Sequence, residues 1–113
     1  MNIAIADNEQ TDRLISGIVE YLSRDPLCLE IRHYPAANEL AGSEKLHLLV
    51  IMQRELKQSE RRERVEAVQE LAGQQGLTLD VIFSSPKVWR DLTALIGPFL
   101  RIENESTVDW QRP

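Results

Sequence analysis

An almost continuous apolar run, LHLLVIM, occupies residues 46–52. It is too short for a typical helix and has the composition of a strand covered on both faces, as in the centre of a parallel sheet. Residues 2–6 (NIAIA) and 77–84 (LTLDVIFS) predict two further buried strands. Residues 27–34 alternate between apolar and polar side chains, which is typical of an edge strand with one covered face. A short fifth strand is predicted at 98–102.

The segments between these strands carry the spacing of amphipathic helices. The first helix is marked by apolar residues that fall on one face: Leu14, Ile15, Ile18, Val19 and Leu22. Asp7 can cap this helix, and Pro26 ends it because the residue before a proline disfavours helical geometry. Further helices are predicted at 59–74 and 87–96, with a weak helix or loop at 35–45. The alternation of strands and helices predicts an α/β fold, a three-layer sandwich with a parallel sheet.

The composition is that of one ordinary globular domain. The chain has 113 residues, of which 42% are hydrophobic and 27% charged, which argues against disorder. The net charge of −5 argues against a nucleic-acid partner bound through a broad basic surface. The apolar runs are shorter than the ~20 residues of a membrane span, and the first residues lack the pattern of a signal peptide. A single cysteine, Cys28, excludes an internal disulfide framework and indicates a reducing cytoplasm.

The order of these elements resembles that of a response-regulator receiver domain. The opening IAIADNEQTDRLISGIVEYL is similar to the first strand and helix of a receiver, LHLLVIM to its third strand, DVIFSS to its fourth and PFLRIEN to its fifth. The resemblance implies a flavodoxin-like, five-stranded parallel sheet in the order 2-1-3-4-5, within a receiver-like domain at residues 1–104. Residues 105–113 would form a polar C-terminal tail, so the last receiver helix is expected to be short or missing.

The positions of receiver chemistry are altered in this chain. A receiver accepts a phosphoryl group on an aspartate at the end of its third strand, where the resemblance places Met52, and a thioether cannot form an acyl phosphate. The acidic pair that holds Mg²⁺ corresponds to Asp7 and Asn8, which is one carboxylate short. The lysine position corresponds to Ile102, and the hydroxyl position is kept as Ser85. The resemblance therefore implies a pseudo-receiver with a degenerate phosphorylation site, no catalytic residue, no metal and no cofactor.

This interpretation predicts a phosphorylation-independent regulatory or adaptor domain in bacterial-type, two-component signalling rather than an enzyme. Its partner would be another protein or a second copy in a homodimer, with no role for nucleic acid or a membrane. The predicted interface lies on the helix at 87–96, the fifth strand and the tail: Val88, Trp89, Leu92, Phe99 and Trp110. Trp89 is expected to lie off the inward face of its helix, and a half-buried core role is an equal alternative for it.

Other interpretations remain open on the sequence alone. A small-molecule sensor of the same fold would use the crevice at Asp7, Met52 and Ser85, although a helix cap is the simpler role for Asp7. His33 and His47 are interpreted as strand-end or surface residues. A small enzyme is disfavoured because the five glycines are scattered and form no phosphate-binding loop. A part of a longer regulator is a further interpretation.

Overall fold

The computed structural model describes residues 3–35 and 45–113, with side chains from Glu9 onward. Within these ranges eight elements follow one another in this order: α1 (Ile3–Ser23), β1 (Cys28–His33), β2 (Lys45–Met52), α2 (Gln58–Gln74), β3 (Thr78–Ser84), α3 (Pro86–Leu95), α4 (Gly97–Glu105) and β4 (Thr107–Gln111). The strands form a mixed sheet in the order β3-β2-β1-β4. β2 and β3 are parallel, whereas β1 is antiparallel to both of its neighbours. None of the described helices combines the length and apolarity needed to span a membrane.

The predicted five-stranded parallel sheet in the order 2-1-3-4-5 is wrong. The parallel pair β2–β3 exists because α2 supplies the crossover that parallel strands need. The connection at 34–44 is shorter than the dozen or so residues of such a crossover, and β1 and β2 are accordingly antiparallel. Residues 36–44, which include most of the predicted weak helix or loop at 35–45, lie outside the described residues.

The predicted first strand at 2–6 is part of a helix. α1 begins at Ile3 and continues without interruption to Ser23, so Asp7 falls inside it and the predicted cap at that residue is wrong. A short apolar run cannot be assigned to a strand or a helix by its periodicity alone. Here the run extends the following helix instead of forming a separate element.

The predicted fifth strand at 98–102 is also helical. Ile96 has extended backbone angles, and α4 begins after it with Pro98 in its first turn, where the fixed φ of proline suits a helix. Phe99 and Ile102 are three residues apart, so a helix brings both to the same face of the sheet. The predicted short strand is therefore part of a short amphipathic helix.

The tail is an ordered strand at the edge of the sheet. β4 pairs with β1, so β1 is an interior strand and its predicted edge position is wrong. The Arg112 side chain fixes this end of the chain, because its Nε donates to the carbonyl of Cys28 at 2.8 Å and its Nη2 donates to the carbonyl of Asp25 at 2.9 Å.

One hydrophobic core, the α1/α2 core, fills the space between the sheet and helices α1 and α2. Leu14, Ile18 and Leu22 lie one above another on α1 at a spacing of four residues, and all are buried. Val68 and Ala72 make the corresponding contacts from α2. The helical face predicted for the first of these helices is thus confirmed.

The predicted burial of β2 on both faces is confirmed. Alternate residues of β2 enter the α1/α2 core, namely Leu46, Leu48, Val50 and Met52. Leu49 and Ile51 point to the opposite face, where they pack against Trp89 in a second cluster, the α3/α4 core. A strand with apolar side chains on both faces is the reason that helices cover both sides of this sheet.

A β-bulge in β1 breaks the alternation predicted there. The register with β2 shifts between Cys28 and Glu30. As a result Cys28 and Ile31 both enter the α1/α2 core, whereas Leu29 packs on the α3/α4 side. The thiol of Cys28 is fully buried, so its predicted place on a polar strand face is wrong, and burial raises its pKa to about 11.

Candidate functional site

The predicted phosphorylation remnants are not assembled into one site. Met52 is 0% exposed and lies in the α1/α2 core, paired in the sheet with Cys28. Ser85 caps α3: its hydroxyl accepts the Val88 N–H at 3.3 Å, and its own N–H donates to the carboxylate of Glu55. The Ser85 hydroxyl thus pairs one of the backbone N–H groups that a helix leaves free at its start, which is the usual role of a serine in this position.

Asp7 and Asn8 lie on α1 far from Met52. The end of α1 leads through a tight turn into Cys28, which pairs with Met52. Asp7 precedes Leu22 by about four helical turns, or about 22 Å at the helical rise. Ile102, the predicted lysine position, is half-buried in the α3/α4 core instead of ending a strand.

Among the described His, Cys, Asp and Glu side chains, at 9–35 and 45–113, no group of three or more could hold a metal ion.

The five predicted interface residues are divided between the two faces of the sheet. Trp89, Leu92 and Phe99 pack in the α3/α4 core, and the Trp89 ring meets Phe99 edge to face at 5.7 Å. Trp110 packs instead against the α1/α2 core, and Val88 is half-buried on α3. Trp89 is 6% exposed, so its expected place off the inward face of the helix is wrong.

Three of the exposed apolar side chains lie where α3 ends and α4 begins. Leu95 is 83% exposed, and Ile96 and Leu100 beside it are also exposed. The interface with a protein partner or a second copy stays a prediction.

A cavity of about 600 Å³ lies on the α3/α4 side of the sheet, over the part that these two short helices leave uncovered. Its apolar floor is formed by Leu29 of β1 and Ile51 of β2. Its wall is one face of α3, which contributes Pro86, Trp89 and Thr93 at helical spacing. This volume is within the range of small-molecule sites in proteins.

A chain of polar side chains borders the cavity. The indole Nε1 of Trp89 donates to Glu103 at 2.6 Å, and Arg32 Nη1 lies 3.1 Å from the same carboxylate oxygen. Arg32 also donates through Nε to Glu30, whose other oxygen accepts from Gln111 Nε2 at 3.2 Å. Burial alone would lower the pKa of Arg32, but Glu30 and Glu103 outweigh it and the pKa is raised. One cation thus joins two carboxylates from elements distant in sequence.

The sequence contained only a weak signal for this cavity. Glu30 and Arg32 are charged residues on a strand, and the alternation placed them on a solvent-exposed face. In fact that face of β1 lines the cavity, and the bulge adds Leu29 to it. Glu103 and Arg112 could not be assigned to the same site, since the segments that carry them were predicted as a strand end and a loose tail.

A second polar pair, His33 of β1 and Asp109 of β4, joins these two strands on the side of the sheet that faces α1. His33 Nδ1 lies 2.9 Å and 2.8 Å from the two carboxylate oxygens of Asp109. The hydrogen bond with Asp109 raises the pKa of His33 above its ordinary 6.5, against the lowering effect of burial, and Asp12 on α1 acts in the same direction. The protonated imidazole is therefore stabilised by the folded state.

This pair predicts a pH dependence of the free energy of unfolding. Because the pKa of His33 is higher in the folded than in the unfolded chain, the stabilisation is complete below pH 6.5. It is lost as the pH rises through the folded-state pKa. The pair is partly exposed, so we expect a loss of no more than about 1 kcal/mol. Urea unfolding at several pH values should show this loss in the native chain and not in His33→Gln. Equal pH profiles for the two proteins would contradict the assignment.

Comparison with known proteins adds no relative. No protein-family model matches the chain, and no curated protein or solved structure matches it at a significant level, so none of these comparisons identifies a receiver domain.

Proposed function

We propose that this chain is a small-molecule-binding domain whose ligand occupies the cavity beside α3. The observation that carries the proposal is a concave site of about 600 Å³ with an apolar floor and a bordering network of charged side chains. An apolar cavity with a few convergent polar groups is the usual form of a ligand site.

The position of the cavity in the sheet supports the proposal. Ile51 and Pro86, which both line it, lie at the carboxyl ends of the parallel strands β2 and β3. In α/β proteins, ligands bind preferentially at this end of parallel strands. β1 contributes Glu30 and Arg32 to the same site, and its bulge adds Leu29 while Cys28 and Ile31 stay in the α1/α2 core.

The chemistry of the lining favours binding over catalysis. No His, Cys or Lys is among the described residues that line the cavity. The hydroxyl of Thr93 donates to the carbonyl of Arg90 at 3.0 Å, and both Glu30 and Glu103 are held by Arg32. Carboxylates engaged in this way are not positioned to exchange a proton with a ligand.

The regulatory role is proposed here as ligand sensing. The degenerate receiver site no longer supports it, because the sheet does not have the receiver strand order. A cytoplasmic location is proposed from the single cysteine, Cys28, whose thiol is buried and free.

Binding of a neutral apolar probe tests the proposal. Phenylnaphthylamine fluoresces in an apolar site, and we expect it to bind the native chain with one saturable site. Thr93→Phe places an aromatic ring in the cavity and should weaken this binding at least about tenfold, since the ring takes the volume that the probe needs.

A matched control separates the cavity from the rest of α3. Ala94→Phe adds the same ring at the next residue, which is exposed and does not line the cavity. We expect it to leave the affinity of the probe unchanged. Equal probe binding by Thr93→Phe and the native chain, with both proteins folded by circular dichroism, would refute a ligand site in this cavity.

A further inference from the structure

We infer that the ligand of this cavity is an organic anion, with an apolar body over Leu29 and Ile51 and a carboxylate or phosphate group bound by Arg90. The inference rests on the proposed ligand site and adds the charge and shape of what binds there. Three properties of the lining support it: its net charge, its unused hydrogen-bond donors and its apolar floor.

The lining is positive although the chain is acidic. The charged side chains that line the cavity are two carboxylates, of Glu30 and Glu103, and three guanidinium groups, of Arg32, Arg90 and Arg112, so the side-chain charge is +1. The whole chain has a net charge of −5. A local excess of positive charge in an acidic protein attracts anions to this place and repels cations from it.

The unused hydrogen-bonding capacity of the cavity consists of donors. Glu30 and Glu103 both accept from Arg32, and they also accept from Gln111 and Trp89 respectively. Within the described residues, by contrast, the guanidinium of Arg90 takes part in no hydrogen bond or ion pair. A ligand that completes this site must therefore bring acceptors, and an anionic group does so with the strongest hydrogen bonds.

Arg112 also lines the cavity and offers a second hydrogen-bond donor there. Its Nε and Nη2 are held by backbone carbonyls, including those of Cys28 and Asp25, and these bonds leave its charge without a carboxylate partner. Its Nη1 makes no hydrogen bond to the described residues. Arg112 is thus a rigidly placed cation, whereas Arg90 on the exposed face of α3 is able to adjust to the bound group.

The floor requires more than an inorganic ion. Leu29 and Ile51 form an apolar surface next to the indole of Trp89, and a bare phosphate would leave this surface in contact with water. Covering it with a hydrocarbon or aromatic body contributes about 25 cal/mol for each Å² removed from water. The positive charge of Arg90 and Arg112 and the apolar floor together favour an amphipathic anion as the ligand.

A pair of probes with and without a charge tests this inference. Anilinonaphthalenesulfonate and phenylnaphthylamine share an apolar body, but only the first carries an anionic group. We expect Arg90→Gln to weaken binding of the sulfonate about tenfold and to leave binding of the neutral amine within about twofold. Arg62→Gln, which removes an exposed arginine from α2, is the matched control and should change neither affinity.

Displacement identifies the acidic group. Naphthoate and naphthyl phosphate should each displace the bound sulfonate, and the one that does so at the lower concentration shows whether a carboxylate or a phosphate is preferred. If neither displaces it, or if Arg90→Gln binds the sulfonate as the native chain does, the anionic ligand is refuted. The proposed ligand site is still supported if Thr93→Phe weakens binding of the neutral amine. The two proposals can therefore be refuted independently.

Discussion

Met52→Asp is expected to lower the free energy of unfolding by about 4 kcal/mol, which is a large part of the total stability of a small domain. The side chain of Met52 is 0% exposed, in a core formed by α1, α2 and the sheet. The buried residues of this core are hydrophobic, and a carboxylate would replace a thioether that fits the space. In a receiver the same substitution would restore the acceptor residue and would be tolerated.

Urea unfolding of Met52→Asp and Met52→Leu measures this effect. Met52→Leu conserves volume and polarity and should cost less than about 1.5 kcal/mol. The deficit of Met52→Asp should shrink as the pH falls, because burial raises the pKa of an aspartate and the protonated form is cheaper to bury. A Met52→Asp protein as stable as Met52→Leu at neutral pH would show that residue 52 is exposed, contrary to the structure.

Arg32→Met is expected to cost about 3 kcal/mol of the free energy of unfolding. It removes the cation that is paired with both Glu30 and Glu103, so both carboxylates lose their positively charged partner. The side chain of Glu30 is 11% exposed, so its charge is poorly compensated by water. Methionine keeps most of the volume of the arginine stem, so the loss is chiefly electrostatic.

Two comparisons isolate the role of the Arg32 charge. Arg101→Met removes an exposed arginine paired with Glu105 and should cost no more than about 0.5 kcal/mol. Adding Glu30→Gln and Glu103→Gln to Arg32→Met should recover at least half of the lost stability, since no buried charge is then left unpaired. Equal losses for Arg32→Met and Arg101→Met would contradict a buried network.

The sequence was sufficient for the elements that carry a single strong pattern. The apolar run of β2 predicted a strand covered on both faces, and the spacing on α1 predicted the face that is buried. The second helix was predicted to end at residue 74, and α2 ends at Gln74, with Gly76 at a positive φ of 71° just after it. In each case a single local sequence pattern is compatible with one local structure.

The pairing of the strands could not be predicted in this way. The direction of β1 depends on the length of the connection at 34–44, and its place inside the sheet depends on β4, a five-residue strand of mixed composition that carries no clear strand pattern. The resemblance to a receiver supplied an order for elements whose own patterns are compatible with several orders. Residues 2–6 and 98–102 were assigned to strands from short apolar runs, which fit a helix equally well.

The candidate site was missed because the cover over one face of β1 comes from elements distant in sequence. Regular alternation puts Glu30 and Arg32 on one face of β1, and the register shift adds Leu29 to that side, but nothing local shows that a cavity lies there. Glu103 and Arg112 reach the cavity through α4 and the end of β4, whose positions follow from the tertiary fold. No local pattern in a single sequence reports such a convergence.

The pairing of β4 with β1 has a consequence for the order of events during synthesis. β4 follows every other described element, yet it completes the sheet beside the first strand. The lining of the cavity is therefore complete only after Gln111 and Arg112 have been synthesised, and a nascent chain that lacks them has an incomplete cavity. A ligand of the proposed site would bind the finished domain in preference to the unfolded chain, and by mass action its binding would stabilise the pairing of β4 with β1.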